Sequence, residues 1–450
     1  MGRLFGTDGV RGIANGELTA ELAFDLGRAG ARVLASDKKR RPLIVIGKDT
    51  RLSCDMLESA MVAGICSMGA DAMSVGIVPT PAVAHLTKRC GADAGVVISA
   101  SHNSYEFNGI KFFDGNGYKL PDATEDKIEE LILDGFGDQP DRPKFGAIGR
   151  HSIDGEAQEN YIGHLLENNA MDLSGFRIAI DCANGAAYKV APALFERLGA
   201  TVSVIHSEPD GTNINKNCGS THIGELLRHT AGTGSDIGFA FDGDADRVLA
   251  ADEQGRAIDG DTIMAMIAMD MKDRGRLLKD TFVATVMSNI GLEIMAGNKG
   301  MKLVRTSVGD RYVLEEMIKN GYNLGGEQSG HIICLDGNTT GDGLYTALLL
   351  MRILSGGGVS ASSLASVVKT MPQVVRNARV PNDKKYACLE DPAVSERCRL
   401  LEEAFSGEGR VLIRPSGTEP LVRVMIEAGD LDVIRSKADE LAEFIEARFH

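Results

Sequence analysis

The sequence predicts an α/β fold, with three similar mixed α/β sheet domains followed by a smaller α+β domain. Three observations carry this reading. Short apolar runs alternate with longer helix-like stretches, the pattern of a largely parallel sheet covered by helices. The alternation restarts twice, as architectural repetition without a clean sequence repeat. Past about residue 370 the order changes to strand, helix, strand, turn, strand and a long last helix. A length of 450 residues suits three or four domains. The expected boundaries are 1–153, 154–256, 257–368 and 369–450.

Taken in order, Leu43 to Ile46 reads as a buried strand and Ser53 to Met68 as a helix that Gly69 can stop. Met73 to Val78 is the next strand, followed by a helix capped by Thr80 with Pro81 in its first turn, and then strand Val96 to Ser99. The second unit has strand Arg177 to Ile180, a helix ending at Leu198, and strands Val202 to Ile205 and Ile237 to Phe241. The third has helix Asp261 to Asp273, strand Phe282 to Met287, a helix, and strand Leu303 to Thr306. Gly356-Gly357-Gly358 and the serines after it read as a hinge or linker, or as a simple break between two helices. Helix Pro392 to Phe405, strand Leu421 to Ile426 and a helix from Leu431 complete the last domain.

A formal net charge of -15 argues against nucleic acid or an anionic membrane as a partner, since both need a basic face. It leaves room for a small anionic substrate held by local Arg and Lys. Gly, at 53 residues, has nearly double its usual share of about 7%, so many loops that turn sharply or approach a ligand are expected. The eight cysteines show no C-x-x-C pair and read as reduced core residues. There is no signal-peptide pattern and no apolar run long enough for a membrane span, so a cytoplasmic protein is expected. The Met-Gly start lacks the Ser or Thr of a myristoylation signal, having Gly6 in its place, and the sequon at Asn338 is read as chance.

Four loops carry chemistry. Ser99-Ala100-Ser101-His102-Asn103 follows a buried strand, and an exposed Ser and His there are placed for chemistry; a turn that satisfies its own backbone is the alternative. Asp242-Gly243-Asp244-Ala245-Asp246-Arg247 follows another strand. Three carboxylates at alternate positions repel unless a hard cation holds them, with a solvated acidic turn the alternative, and carboxylates without Cys or His favour magnesium over zinc. An EF-hand is disfavoured, because Arg247 stands where its turn needs Gly, although Glu253 falls at its twelfth position. Gly325-Gly326-Glu327-Gln328-Ser329-Gly330-His331 suits sugar hydroxyls or a Gly-rich hairpin turn. Arg414-Pro415-Ser416-Gly417-Thr418-Glu419-Pro420, with Arg423, suits a phosphate monoester or a tight turn.

Together, and in this order, the loops resemble those of the α-D-phosphohexomutase superfamily over essentially the whole chain. Leu4-Phe5-Gly6-Thr7-Asp8-Gly9-Val10-Arg11-Gly12, Thr306-Ser307-Val308-Gly309-Asp310-Arg311-Tyr312, Gln328, and Asn213-Ile214-Asn215 leading to Cys218-Gly219-Ser220-Thr221-His222 resemble its amino-sugar branch. One departure is Ser104, where the family commonly has Pro, which implies a slightly more flexible loop.

The resemblance implies four domains around a central cleft and interconversion of glucosamine 6-phosphate and glucosamine 1-phosphate, on the route to UDP-N-acetylglucosamine and the cell wall. Phosphate on Ser101 would pass to the sugar, giving a 1,6-bisphosphate that turns end for end and returns its other phosphate. Mg2+ would be held by Asp242, Asp244, Asp246 and a phosphoserine oxygen. Glu327 and Ser329 would hold sugar hydroxyls, and Arg414, Ser416, Gly417, Thr418 and Arg423 the phosphate not reacting. Arg11, Lys111 and Arg247 are stabilisers of the moving charge, with an ion pair the alternative for Arg11; Lys111 or His331 is the general acid or base. Closure of the last domain would exclude water. A homodimer stays open. The rival readings are a phosphomannomutase or phosphoglucomutase, a phosphatase and a non-catalytic sugar-phosphate sensor.

Overall fold

The computed structural model describes residues 4–6, 8–34, 40–136, 142–416 and 419–449. It divides into two bodies, Met1–Met287 with Val304–Val367, and Ser288–Leu303 with Val368–His450.

The first body holds the repeated α/β units. Its first sheet runs in the order Val10–Ile13, Phe107–Asp114, Ala94–Ile98, Leu43–Lys48, Asp71–Ile77, His151–Ile153. Leu43–Lys48 lies parallel to both Asp71–Ile77 and Ala94–Ile98, and the Val and Ile residues of Leu43–Lys48 and Ala94–Ile98 are buried, as helices on each side of a sheet require. Helices Ala20–Leu34 and Cys54–Ser67 pack so closely that a Cβ on Gly64 would lie 2.2 Å from the Phe24 carbonyl oxygen. The sheet is mixed, because Val10–Ile13 and Phe107–Asp114 join antiparallel. The sequence reading passed over both strands, the second of which carries a buried lysine, Lys111, inside an apolar run.

The second sheet has the order Ala257–Ile258, Val248–Asp252, Ile237–Phe241, Arg177–Asp181, Thr201–Ile205. In the third, Thr281–Thr285 lies parallel to Leu324–Gly326, which pairs antiparallel with Ile332–Cys334. The Gly356–Gly358 stretch closes helix Gly343–Gly357, with Gly358 in the left-handed C-cap conformation at φ 60°, and Ser360 then caps helix Ala361–Ala365. Of the two readings of this stretch, the break between helices is the one observed.

The second body is built on a three-stranded antiparallel sheet with Leu421–Glu427 between Gln373–Arg379 and Arg410–Pro415. Helix Leu431–Phe449 covers it with Ile434, Ala438, Leu441 and Ile445, which repeat at helical spacing and are buried. Asp391 caps helix Pro392–Ala404, whose first residue is the proline. All eight cysteines are free thiols. Among the described residues no helix is long and apolar enough to cross a membrane.

Candidate active site

Two loops meet in the first body, each at the carboxyl end of a fully buried strand. Ala94–Ile98 leads to Ser101, and Ile237–Phe241 leads to Asp242. The backbones touch: a Cβ on Gly243 would lie 2.5 Å from the Ser101 carbonyl oxygen, so only glycine fits there. Ser101 is not the exposed residue that the sequence suggests. It is 1% exposed, adopts a left-handed φ of 51°, and donates its hydroxyl to Asp242 Oδ2 at 2.6 Å. A non-glycine residue in this region is held there by its surroundings.

Asp242, Asp244 and Asp246 are all buried, with one carboxylate oxygen of each within 4.8 Å of the others. Asp244 Oδ1 and Asp246 Oδ1 accept no hydrogen bond among the described residues. Such oxygens fit a hard cation, and a triad without thiol or imidazole fits magnesium. Glu253, the twelfth position of the rejected EF-hand, instead accepts from the Ser362 amide at 3.0 Å. Thr80 does not cap its helix, which starts at Thr80 with Pro79 as N-cap; its hydroxyl donates to Asp244 Oδ2 at 2.7 Å and its amide to the Asp244 carbonyl.

Cations surround the acids. Lys111 Nζ lies 3.0 Å from Asp244 Oδ2, 3.1 Å from Asp8 Oδ2 and 3.8 Å from Asp246 Oδ2. Burial disfavours its charge, but Asp244, Asp8 and Asp246 outweigh that and raise its pKa, so it stays an ammonium. Arg247 donates its amide to Asp242 Oδ1 and is likewise raised, by Asp246 and Asp242 against the effect of burial. Arg11 pairs with Asp8. Burial and its two neighbouring carboxylates push Asp242 up, whereas His331 and Lys111 overcome burial to hold Asp246 down.

Two histidines face this cluster, their pKa values shifted in opposite directions. His331 Nδ1 lies 3.5 Å from Asp246 and Nε2 3.4 Å from Asp310; these carboxylates outweigh burial and raise its pKa. His102 Nδ1 lies 3.4 Å from Ser101 Oγ and 3.3 Å from Arg247, and burial followed by Arg247 pushes it down to about 4. It is neutral at pH 7.

The loop around Glu327 is tied to the same place. The Val248 amide donates to the Gly330 carbonyl, the Glu327 amide to the His331 carbonyl, and Glu327 Oε1 accepts from the Gly309 amide at 3.1 Å. Gln328 turns to Asp259, the residue that caps helix Gly260–Asp273. Arg247, Thr285, Met287, Val308, Glu327 and Ser329 line a pocket of about 390 Å³ beside the cluster, within the range for small-molecule sites.

In the second body, Arg414 and Arg423 stand directly opposite each other across the antiparallel ladder. Two like charges so placed repel, unless an anion lies between them. The buried Lys385 fixes the adjoining turn through the carbonyls of Ser416 and Glu419, and Ser416 Oγ accepts from the Glu419 amide at 3.2 Å. Gly417 and Thr418 lie outside the described residues.

The sequence reading missed Asp8, Lys119 and Asp310, which form one ion-pair chain from Lys111 to His331. Asp8 and Asp310 lay inside quoted motifs; their signal was a charged residue beside glycine at the start of a strand or helix. It also missed His102 as a functional group of its own. A further group, the buried Asp181 and Cys218 with the partly exposed His206, has metal-ligand residue types. Asp181 there already accepts the Ala183 and Gly219 amides and pairs with His206, so it serves as a loop anchor. Asn338, the sequon residue, is buried and bonded to Pro81 and Asp342.

The chain matches the four domain families of phosphoglucomutase/phosphomannomutase: alpha/beta/alpha domain I over residues 2–136, domain II over 159–255, domain III over 259–371 and the C-terminal domain over 376–444. It is 58% identical over 448 residues, covering 100% of both chains, to the phosphoglucosamine mutase of Ruminiclostridium cellulolyticum. The chain belongs to the phosphoglucosamine mutase family of the phosphohexomutases. Its fold is also that of a phosphoglucomutase/phosphomannomutase family protein from Burkholderia thailandensis, with TM-score 0.82 at 22% identity over 99% of this chain and 98% of that one. An N-acetylphosphoglucosamine mutase from Aspergillus fumigatus, solved with GlcNAc-6P and magnesium, shares it at TM-score 0.67 and 17% identity, over 99% and 95% of the two chains.

Proposed function

We propose that this chain interconverts glucosamine 6-phosphate and glucosamine 1-phosphate through a phosphoryl group carried on Ser101. The observation that carries the reading is the meeting of Ser101 Oγ with a buried triad of aspartates under a fixed lysine. A phosphate on Ser101 adds roughly -1.5 to -2 of charge at neutral pH. Lys111, Arg247 and Arg11 are the cations that offset it. A magnesium ion held by Asp242, Asp244 and Asp246 would supply the remaining positive charge and withdraw electron density from the transferring group.

In the first half-reaction the bond from phosphorus to Ser101 Oγ breaks as a bond to the sugar oxygen forms, giving the 1,6-bisphosphate. The sugar hydroxyl loses its proton to a base, and the departing Ser101 Oγ takes one up to become the hydroxyl. After the bisphosphate reverses, its other phosphoryl group moves to Ser101 Oγ, whose proton goes to the base, and the freed sugar oxygen takes a proton. Lys111, locked as an ammonium by three carboxylates, acts by its charge. His331, whose pKa Asp246 and Asp310 raise against the effect of burial, suits the donor's role, and the neutral His102 beside Ser101 suits the acceptor's. Positioning and electrostatics then supply most of the catalysis. Glu327 and Ser329 present oxygens to the sugar hydroxyls, and Arg414, Ser416 and Arg423 suit a phosphate monoester.

The test is a comparison of wild type and Ser101→Ala on glucosamine 1-phosphate, glucose 1-phosphate and mannose 1-phosphate. The amino sugar should turn over fastest and the variant should be inert. Faster turnover of glucose or mannose 1-phosphate, or release of inorganic phosphate as the main product, would replace this reading with one of its rivals.

A further inference from the structure

Ser101 sits in a strained turn, and something must hold it there. Around it, the carbonyls of residues 101, 103, 104 and 107 all point to one side chain. Arg51, 2% exposed, donates Nη2 to the Ser101 and Asn103 carbonyls at 2.9 Å each, and Nη1 to those of Ser104 and Phe107. Its Nε donates to Asp49 Oδ2 at 2.8 Å, so all five guanidinium protons are used. Asp49 also accepts the Ser99 hydroxyl at 2.6 Å, and Ser99 Oγ in turn accepts the Ser101 amide at 3.0 Å.

From the second sheet domain, Asn215 Nδ2 donates to the same two carbonyls, Ser101 at 2.8 Å and Asn103 at 2.9 Å. Asn215 is itself buried and left-handed at φ 57°, and its amide is fixed on the Ala183 carbonyl at 2.9 Å. Asp181 holds that segment through the Ala183 and Gly219 amides.

We propose that Arg51 and Asn215 are positioning residues for phosphoryl transfer, clamping the backbone of the 101–107 loop so that Ser101 Oγ keeps its place between Asp242 and the substrate. The proposal rests on the reading of Ser101 as the phosphoryl carrier. Neither residue touches the reacting atoms. Each bonds carbonyls, so the clamp is indifferent to whether Ser101 carries a phosphate and can hold the loop through both half-reactions. A neutral side chain at position 51 would leave the buried Asp49 unpaired. A lysine keeps the charge but its three protons cannot bridge four carbonyls.

The test uses Arg51→Lys and Asn215→Gly, the latter because glycine takes a left-handed φ without strain. Each should lower kcat by about 10- to 100-fold, the scale of a small misplacement of a reacting group, while KM for glucosamine 1-phosphate stays within about twofold. Hydrogen exchange of the 100–108 amides should speed up in both variants. Ser104 offers a second arm. Among the described residues its amide donates to no protein group, and its φ is not positive, so a proline there would break no hydrogen bond and meet no left-handed backbone. Ser104→Pro added to Arg51→Lys should stiffen the loop and recover at least about threefold in kcat. Unchanged kcat, a loss confined to KM, or unchanged exchange in the single variants would overturn the proposal, as would a Ser104→Pro double variant that recovers nothing. The exchange measurement needs no turnover, so it judges the clamp even if the Ser101→Ala assay overturns the assigned reaction.

Discussion

The loop of Ser101 and the loop of Arg414 both handle phosphate in this account, yet they are built in opposite ways. Ser101, Asp242, Asp244, Asp246 and Lys111 are each at most 3% exposed and bonded on several sides. Arg414 and Arg423 lie half-buried on a strand face, and among the described residues Arg423 has only a loose pairing with Glu419 at 3.6 Å. A phosphoryl group in transfer must be kept from water, which favours a buried and preorganised cluster. A phosphate that is only bound and released can be met by solvated guanidiniums. Rigid placement thus marks the chemistry, and accessible charge marks the binding.

Mutations should separate the two regions by size and by kinetic constant. Ser101→Ala removes the carrier, and kcat should fall by more than about 10³-fold in the mutase assay. Asp242→Ala should lower kcat by about 10²- to 10³-fold and abolish the response to added magnesium, read from activity before and after chelation. Arg423→Ala should act differently, raising KM about 10- to 100-fold with a smaller change in kcat, since it removes one charge-assisted pairing at a solvated position. An equal loss of kcat at Arg423 would erase the contrast.

The smallest effect lies outside both loops. Burial and then the stacked ring of His164, at 3.9 Å, push half-buried His85 down to about 4. A histidine in the unfolded chain titrates near 6.5, so the unfolded state binds the extra proton first as pH falls. Its contribution is present above about pH 6.5 and is lost between there and about pH 4, by about 1 kcal/mol after solvent screening. Urea unfolding at pH 7 and pH 4.5 should show His85→Gln losing less stability over that interval than wild type.

Much of the fold was legible because buried strands write themselves as short apolar runs, as in Leu43–Lys48 and Ile237–Phe241. The antiparallel strand Phe107–Asp114 was not, because Lys111 breaks its apolar run and its burial makes sense only beside Asp244, 133 residues away. The four loops could be picked out because each follows or joins strands and carries a distinctive cluster of oxygen or guanidinium groups. What the sequence could not show is pairing over distance. Thr80 reads as a helix cap, but its hydroxyl serves Asp244. Ser101 reads as an exposed turn residue, but Asp242 and the Arg51 carbonyl clamp bury it. The flexibility expected from Ser104 meets a guanidinium that binds its carbonyl. Asp310 reaches His331 only once the chain is folded.

The most direct test of the phosphoserine account is a single turnover with enzyme labelled on Ser101 with radioactive phosphate and an excess of unlabelled glucosamine 1-phosphate. The account predicts that the label leaves the protein and appears in the sugar bisphosphate and in glucosamine 6-phosphate. Product formation with the label still on the protein would contradict it.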